Sequence, residues 1–212
     1  MQHHKGLALR GVEIFLEERL LISISETVEP GEVLTVMGPS GSGKSTLLSY
    51  IGGFLHSAFR ASGAVILNGS DITLKPAEQR QVGMLFQDPL LFPHMSVGEN
   101  LLFALPADIK GKAQRRDAAV AALAEAGLED AFDRDPATLS GGQKARVALM
   151  RVLLANPQAL LLDEPFSKLD TNRRDGIRKF VFGEAKRRNL PVLLITHDAA
   201  DAEAAGGKVF DL

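Results

Sequence analysis

The sequence predicts an α/β fold in which a parallel sheet carries a helical insertion. The apolar run Val33–Met37 leads directly into the glycine-rich stretch Gly38-Pro39-Ser40-Gly41-Ser42-Gly43-Lys44-Ser45. Two more apolar runs, residues 159–162 and Val192–Ile195, are separated by a charged helical segment at about residues 171–188. Strands that are apolar on both faces and alternate with helices are typical of a parallel sheet covered on both sides.

The first third of the chain has the pattern of strands and turns. Ile22, Ile24 and Val28 occur at even spacing on a polar background, which predicts a half-buried strand. Residues 65–69 are typical of a strand that ends in a turn.

The middle of the chain differs from the first third in composition and in predicted secondary structure. Prolines at 89, 93 and 106 break a region that is expected to be irregular, and residues 115–126 are then alanine-rich and helical up to Gly127. Residues 143–155 predict a second helix that stops before Pro157. We therefore expect a helical insertion within the α/β core.

Composition limits the classes of function. The chain has 24 Lys+Arg and 26 Asp+Glu, so its formal net charge of −2 offers no general attraction to nucleic acid or anionic lipid. It has no cysteine, which excludes disulfides and thiolate metal sites. No signal-peptide core follows the first residues, and no run approaches the roughly 20 apolar residues that cross a bilayer. Any membrane role is expected to come from docking onto another protein.

The glycine-rich stretch fits the P-loop pattern and lies between a strand and a helix, the context that this pattern requires. Gly38, Gly41 and Gly43 allow backbone N–H groups to turn inward around phosphates. Lys44 brings a cation to the β- and γ-phosphates, and the Ser45 hydroxyl can ligate Mg²⁺. The alternative is a glycine-rich turn with an accidental lysine, but its placement favours a nucleoside-triphosphate site.

A second element is Leu160-Leu161-Leu162-Asp163-Glu164-Pro165. Asp163 at the end of a buried strand is placed to hold Mg²⁺ through water molecules. Glu164 comes one residue later, where its carboxylate can face an attacking water. On its own this stretch is better explained as a polar turn, but the P-loop upstream favours the functional interpretation.

Gln87 and His197 each follow a predicted apolar strand. The neutral amide of Gln87 can ligate Mg²⁺ or orient water, although an exposed turn glutamine is the simpler explanation when the residue is taken alone. A single histidine after a strand is more often structural than catalytic. His197 nevertheless follows the carboxyl end of a strand, at the sheet edge where open α/β sheets bind ligands.

Together these residues resemble the ATP-binding cassette (ABC) family, and the match covers nearly the whole chain. Residues 38–45 are similar to the Walker A motif, and Leu139-Ser140-Gly141-Gly142-Gln143 is similar to the family signature. The signature precedes a helix, so N–H groups, a hydroxyl and a positive helix end converge there, as an anion requires. The alternative for this stretch is a helix N-cap and nothing else.

The resemblance implies a role for each matching residue. Residues 160–164 correspond to Walker B, 167–170 to the D-loop, Gln87 to the Q-loop and His197 to the switch histidine. The implied catalytic residues are Lys44, Gln87, Glu164 and His197, and the implied Mg²⁺ ligands are Ser45, Gln87 and Asp163. The implied ATP-binding residues are Phe15, which would stack on adenine, with Gly38, Pro39, Ser40, Gly41, Ser42, Gly43, Lys44, Ser45, Thr46, Ser140, Gly141, Gly142 and Gln143. An aromatic residue in an early strand is also often part of the core, which is the alternative for Phe15.

The family fold has a mixed-sheet core, an antiparallel β subdomain and an inserted helical subdomain. We accordingly expect one nucleotide-binding domain over 1–212, with residues 1–87 and 157–212 as the α/β core and 88–156 as the helical subdomain. Because the sequence ends soon after His197, we expect no C-terminal regulatory domain. Lys168 departs from the small residue that the family often has in the D-loop.

Residues 86–100 resemble the segment after the Q-loop in ATPase subunits of bacterial importers of the maltose, molybdate and thiamine type. In those proteins the segment helps to form a groove for a short helix of the membrane subunit. Leu91, Phe92 and Met95 are candidate apolar anchors for such a helix. Internal packing is the alternative, especially for Phe92.

The resemblance also implies partners and a location. We expect an ATP-sandwiched homodimer, transmembrane permease subunits and a separate solute-binding protein, at the cytoplasmic face of the inner membrane, and no nucleic acid. An ABC ATPase that drives extrusion or mechanical work at the membrane is the first alternative. An ABC ATPase that works on nucleic acid is less well supported, because the chain has neither coiled-coil heptads nor cysteines.

Overall fold

The computed structural model describes residues 5–39 and 41–212, without the side chains of residues 171–173. Contacts divide the chain into two compact units. The first contains the residues up to Met84, Gln158–Glu164 and Phe182–Leu212. The second contains Leu85–Pro157 and Pro165–Val181.

The strands form two sheets. The described residues contain nine strands: β1 (Leu7–Leu16), β2 (Arg19–Val28), β3 (Val33–Met37), β4 (Phe59–Leu67), β5 (Ser70–Asp71), β6 (Val82–Leu85), β7 (Ala159–Asp163), β8 (Val192–Ile195) and β9 (Lys208–Asp211). One sheet has the order β2-β1-β4-β5 and antiparallel pairings. The other has the order β6-β7-β8-β3-β9, in which β3 pairs in parallel with β8 and β9, and β7 pairs in parallel with β8. The predicted α/β fold with an antiparallel β part is confirmed, and its parallel and antiparallel strands lie in separate sheets.

Helices connect and cover these strands. The described residues contain six α-helices: α1 (Lys44–Gly52), α2 (Val97–Ala104), α3 (Lys112–Glu125), α4 (Gly141–Leu154), α5 (Thr171–Arg187) and α6 (Ala199–Ala205). The predicted helix after the glycine-rich stretch exists, and so do the three helices predicted with bounds, whose ends differ by a few residues. None of the helices in the described ranges has both the length and the hydrophobicity that crossing a membrane requires.

Helix α2 lies in the region that the prolines predicted to be irregular. It begins with a capping box, in which the Ser96 hydroxyl accepts from the backbone N–H of Glu99 over 3.1 Å and the Glu99 carboxylate accepts from the backbone N–H of Ser96 over 2.7 Å. Reciprocal caps of this kind satisfy two of the otherwise unpaired N–H groups of a helix start. The prolines at 89, 93 and 106 lie outside this helix, so they are compatible with it.

The first unit has a hydrophobic core that joins both sheets to α1. Its fully buried members include Ile14, Ile22, Leu47, Leu161 and Leu193, which come from β1, β2, α1, β7 and β8. Packing of α1 against this core fixes the point at which the helix begins, and this point lies directly after the glycine-rich loop. The fold thereby positions the N-terminus of α1 at the end of β3.

Candidate functional site

The glycine-rich loop connects β3 to α1 in the first unit, as the P-loop pattern predicted. Gly41 has φ 81° and Gly43, the N-cap of α1, has φ 94°. These values lie in the left-handed region, where side chains with a Cβ are strained, so the loop needs glycine at both positions. Of the predicted phosphate-binding residues, Ser40 lies outside the described residues.

Lys44 is fixed within the loop that precedes it. Its ammonium group donates to the carbonyl oxygens of Gly38 and Pro39, both over 2.8 Å, and the residue is only 6% exposed. These two hydrogen bonds hold the loop around its own cation. The charge is therefore oriented by the fold at the N-terminus of α1, where the helix dipole also favours an anion.

Ser45 and Asp163 come together at the end of the parallel sheet. The Ser45 hydroxyl donates to Oδ1 of Asp163 over 3.1 Å, although 118 residues separate the two in sequence. Desolvation by burial raises the pKa of Asp163, and the nearby Glu164 carboxylate adds to this effect. The hydrogen bond from Ser45 and the charge of Lys44 act in the opposite direction. An anionic oxygen and a hydroxyl oxygen thus lie side by side next to the P-loop.

Glu164 and His197 form a second pair at the same sheet edge. Nδ1 of His197 lies 3.1 Å from Oε1 of Glu164. Glu164 has φ 45°, and its backbone N–H donates to the carbonyl oxygen of Ile195 over 2.9 Å. A left-handed conformation at a residue other than glycine costs energy, and such conformations are concentrated at functional sites. Here the conformation turns the chain out of β7 directly after Asp163.

A buried hydrogen bond that the sequence analysis missed supports the segment carrying His197. The Thr196 hydroxyl donates to Oδ2 of Asp201 over 2.7 Å, and both residues are almost completely buried. The same hydroxyl accepts from the backbone N–H of Asp198 over 3.0 Å. Asp198 is also the N-cap of α6, because its carboxylate accepts from the N–H of Ala200. These bonds fix the backbone on both sides of His197.

An open cavity of about 390 Å³ lies beside the P-loop within the first unit. Its lining consists of Leu16, Arg19, Leu21, Gly41, Gly43, Lys44, Ser45, Thr46, Phe59 and Glu164. Phe15, the residue predicted to contact adenine, is not among the described residues that line it. Phe15 is half-buried in β1, where it lies opposite Leu20 and Arg60. The apolar wall of the cavity comes from Leu16, Leu21 and Phe59 instead.

The signature stretch belongs to the second unit, where it forms the start of α4. Ser140 is the N-cap, and its hydroxyl accepts from the N–H of Gln143 over 3.3 Å while the Gln143 side chain accepts from the N–H of Ser140 over 2.9 Å. Gly141 and Gly142 are the first two residues of the helix. The helix therefore begins two residues earlier than predicted, because the capping box offsets the low helix propensity of two glycines.

Gln87 also belongs to the second unit, and one residue separates it from the end of β6. Its side chain is exposed, and its amide nitrogen donates to the Ser167 hydroxyl over 3.0 Å. The first unit thus brings Lys44, Ser45, Asp163 and the Glu164–His197 pair to one sheet edge, whereas Gln87 and the signature stretch lie in the other unit. Within the described ranges, no group of three or more acidic or histidine side chains is placed to hold a metal ion.

The fold and the P-loop define the chain as a nucleotide-binding protein of the P-loop class. The family model described as ABC transporter matches residues 21–167, and the chain belongs to this family. It is 54% identical to the ABC transporter ATP-binding protein YnjD of Escherichia coli (strain K12), over 93% of this chain and 91% of that protein.

Two other relatives have names that state what they import. The thiamine import ATP-binding protein ThiQ of Yersinia pseudotuberculosis is 41% identical over 89% of this chain and 78% of that protein. The Fe(3+) ions import ATP-binding protein FbpC of Agrobacterium fabrum is 40% identical over 88% of this chain. The match spans only 52% of the length of this iron-import relative.

Family membership settles the class of activity. The chain is an ATP-binding and ATP-hydrolysing subunit of the ABC transporter type, and ATP is its nucleotide. The ATP-binding proteins of this family work together with membrane permease subunits.

Proposed function

We propose that this chain hydrolyses ATP at the cytoplasmic face of the inner membrane and thereby drives the import of a small solute. The observation that carries the catalytic part of the proposal is the meeting of Lys44, Ser45, Asp163, Glu164 and His197 at one sheet edge. Support for import comes from the relatives named for thiamine and iron import. We further propose residues 1–87 and 157–212 as the α/β core and 88–156 as the helical subdomain.

We infer that Ser45 and Asp163 hold Mg²⁺ together with the phosphates of ATP. The donor set fits this ion, because Mg²⁺ prefers oxygen ligands and usually keeps several of its waters. A hydroxyl and a carboxylate oxygen 3.1 Å apart can face the same hydrated ion. A divalent cation would also offset the cost of ionising Asp163, whose pKa is raised by burial. We propose Gln87 as a further oxygen ligand contributed by the second unit.

We propose that Glu164 accepts the proton of the attacking water and that His197 contacts the γ-phosphate. The 3.1 Å contact between these side chains would keep the carboxylate oriented towards an attacking water. The hydrogen bonds of Thr196 to Asp201 and Asp198 would hold His197 at the required position. Pre-positioned acid–base help of this kind accelerates reactions by about 10²–10⁴-fold.

We propose that two copies of the chain close over two ATP molecules. The start of α4 offers backbone N–H groups and a positive helix end, which suit the phosphates of a nucleotide held by another copy. ATP would then be a ligand of the dimer alone, so that it shifts association by mass action. Sedimentation of Glu164→Gln with and without ATP and Mg²⁺ tests this: dimers are expected only with ATP. A monomer at tens of micromolar protein and saturating ATP would contradict the shared site.

We propose that the apolar segment after Gln87 receives a short helix of the membrane subunit. Leu90 is 55% exposed, and Leu91, Phe92 and Met95 are half-buried. The Phe92 ring packs edge-on against that of Phe103 at 5.0 Å, and Phe103 is 65% exposed. Exposed apolar and aromatic side chains that lie together are typical of a protein-binding surface.

The double substitution of Leu91 and Met95 by aspartate tests this docking surface. It places two charges in an apolar contact, at a cost of several kcal/mol. ATP hydrolysis by the isolated chain should survive, while co-purification with the membrane subunits and solute uptake into vesicles should fail. Val120→Asp on α3, at another exposed apolar position of the same unit, is the matched control. Loss of folding in the double variant would instead assign Leu91 and Met95 to the core.

The direction of transport is tested by reconstitution with the membrane subunits. Addition of ATP on the side of this chain should drive a solute towards that side, and a solute-binding protein on the opposite side should stimulate the uptake. Movement of solute away from this chain would replace import by extrusion.

A further inference from the structure

Two consecutive pairs of side chains join the segment after β6 to the segment after β7 within the second unit. The Gln87 amide donates to the Ser167 hydroxyl over 3.0 Å. One residue further along each segment, the Lys168 ammonium lies 2.7 Å from both Oδ1 and Oδ2 of Asp88. Neighbouring residues of one segment therefore pair with neighbouring residues of the other.

The second pair has the geometry of a specific ion pair. Lys168 contacts both carboxylate oxygens of Asp88, which fixes the orientation of the carboxylate as well as its distance. Both residues also line a small cavity of about 90 Å³, whose other walls include Leu85, Ala145 and Leu169. Lys144 lines the same cavity.

The chain is held again just beyond this pair. The Arg151 guanidinium donates to the carbonyl oxygen of Leu90 over 2.9 Å and to that of Pro89 over 3.4 Å. Its plane also lies near the Phe92 ring, with 5.2 Å between Cζ and the ring centroid. Arg151 thus fixes the far end of the segment, and the near end, which carries Gln87, depends on the pairs with Ser167 and Lys168.

We propose that the Lys168–Asp88 ion pair positions Gln87 for ATP hydrolysis, so that Lys168 is a positioning residue that acts through Gln87. The inference rests on the proposed function, in which Gln87 contacts the hydrated Mg²⁺ or the attacking water. A glutamine side chain on the surface has several rotamers, and one hydrogen bond to a hydroxyl competes with water. The adjacent ion pair fixes the backbone next to Gln87 and so favours the rotamer that reaches Ser167.

The expected size of the effect follows from the exposure of the pair. The side chains of Lys168 and Asp88 are 53% and 58% exposed. An exposed ion pair typically shifts an equilibrium by about 1.4- to 5-fold. Breaking the pair should therefore change the population of the positioned Gln87 by about this factor, and 0.5 M salt should reduce the difference because it screens surface charges.

The first test measures backbone opening without nucleotide. Amide hydrogen exchange of the full chain should be about 1.4- to 5-fold faster in peptides that cover residues 86–90 when Lys168 is replaced by alanine. Lys168→Arg and the charge exchange Asp88→Lys with Lys168→Asp should restore slow exchange. Lys110→Ala, at an exposed lysine of the same unit, should leave these peptides unchanged. Unchanged exchange in Lys168→Ala would overturn the proposal, as would faster exchange throughout the unit with a lowered Tm.

The second test measures hydrolysis in a double-mutant cycle. Lys168→Ala should lower kcat about 1.4- to 5-fold and change the KM for ATP less. In the Gln87→Ala background the same substitution should have no further effect, because the side chain through which it acts is gone. Multiplicative losses in the double variant would overturn the proposal, since Lys168 would then act independently of Gln87. If the unmutated chain failed to hydrolyse ATP, the proposed function would fail, and the exchange measurement would still decide whether the ion pair holds the segment.

Discussion

We predict that replacing Glu164 by glutamine separates ATP binding from hydrolysis. Glu164 leaves β7 with φ 45°, and its Oε1 lies 3.1 Å from Nδ1 of His197. Glutamine has the same shape, and its own Oε1 can accept a hydrogen bond from the His197 ring. The substitution therefore removes the negative charge and the ability to accept a proton, but it keeps the packing and the backbone.

The magnitude follows from this difference. Loss of a positioned general base typically lowers turnover by about 10²–10⁴-fold, which corresponds to about 2.7–5.4 kcal/mol of transition-state stabilisation. Because Glu164 is partly exposed and the new side chain is nearly isosteric, the free energy of unfolding should change by less than about 0.5 kcal/mol. ATP affinity should stay close to that of the unmutated chain, since the P-loop and Lys44 are unchanged.

Three measurements on the same preparation check this prediction. Phosphate release at saturating ATP gives kcat, equilibrium titration with a fluorescent ATP analogue gives the affinity, and thermal unfolding gives Tm. Glu203→Gln on α6 is a matched control, because it makes the same chemical change at an exposed site of the same unit. Hydrolysis by Glu164→Gln within tenfold of the unmutated rate would refute the assignment and move the base elsewhere.

Three further predictions concern the same site. Lys44→Ala should weaken ATP binding about 10- to 100-fold and lower turnover, because each charge-assisted hydrogen bond contributes about 1.5–3 kcal/mol; unchanged affinity in the titration would contradict this. Burial raises the pKa of the Asp163 carboxyl in the folded chain above its ordinary value of 3.8. The ionised carboxylate is therefore unfavourable in the fold, and the free energy of unfolding falls as the pH rises from 3.8 through the folded pKa. At neutral pH Asp163→Asn should therefore raise the Tm of the nucleotide-free chain but lose the extra Tm increase that Mg²⁺ adds to ATP, and a lower nucleotide-free Tm would be the contrary result. Finally, the cavity lining predicts that Phe59→Ala raises the KM for ATP, whereas the family resemblance predicts this for Phe15→Ala; the two KM values measured side by side decide between them.

The strands that the sequence predicted best are those that are buried on both faces. Val33–Met37 and Val192–Ile195 have the predicted bounds, because a strand buried on both faces consists mainly of apolar residues. Strand β9 was missed because it is short and exposed, with Val209 43% accessible, so burial leaves no periodic pattern in its sequence. Helix α2 was missed although its sequence contains a signal for it, the Ser-x-x-Glu pattern of a capping box at Ser96.

In the candidate site, the sequence predicts the types of residue but not the contacts between their side chains. A short pattern identifies Lys44 as a phosphate-binding candidate because the pattern itself carries the chemistry. The Thr196–Asp201 bond and the Lys168–Asp88 pair have no such pattern, since each depends on distances between side chains that the fold alone brings together. For Asp88 and Lys168 the separation in sequence is 80 residues. Such pairs become visible only when the strand register is known.

The strand register explains why the groups of the first unit meet at one place. In the parallel sheet Ile195 of β8 lies opposite Val36 of β3 and opposite Asp163 of β7. The three strands therefore end at the same level of the sheet, and the P-loop, Glu164 and His197 follow within a few residues. A slip of one residue in any of these strands would move its group by about 3.3 Å along the sheet. Such a shift equals a whole hydrogen-bond length, so the contacts between Ser45 and Asp163 and between Glu164 and His197 would both be sensitive to it. The apolar runs of β3, β7 and β8 thus fix the relative positions of the candidate site residues through this register.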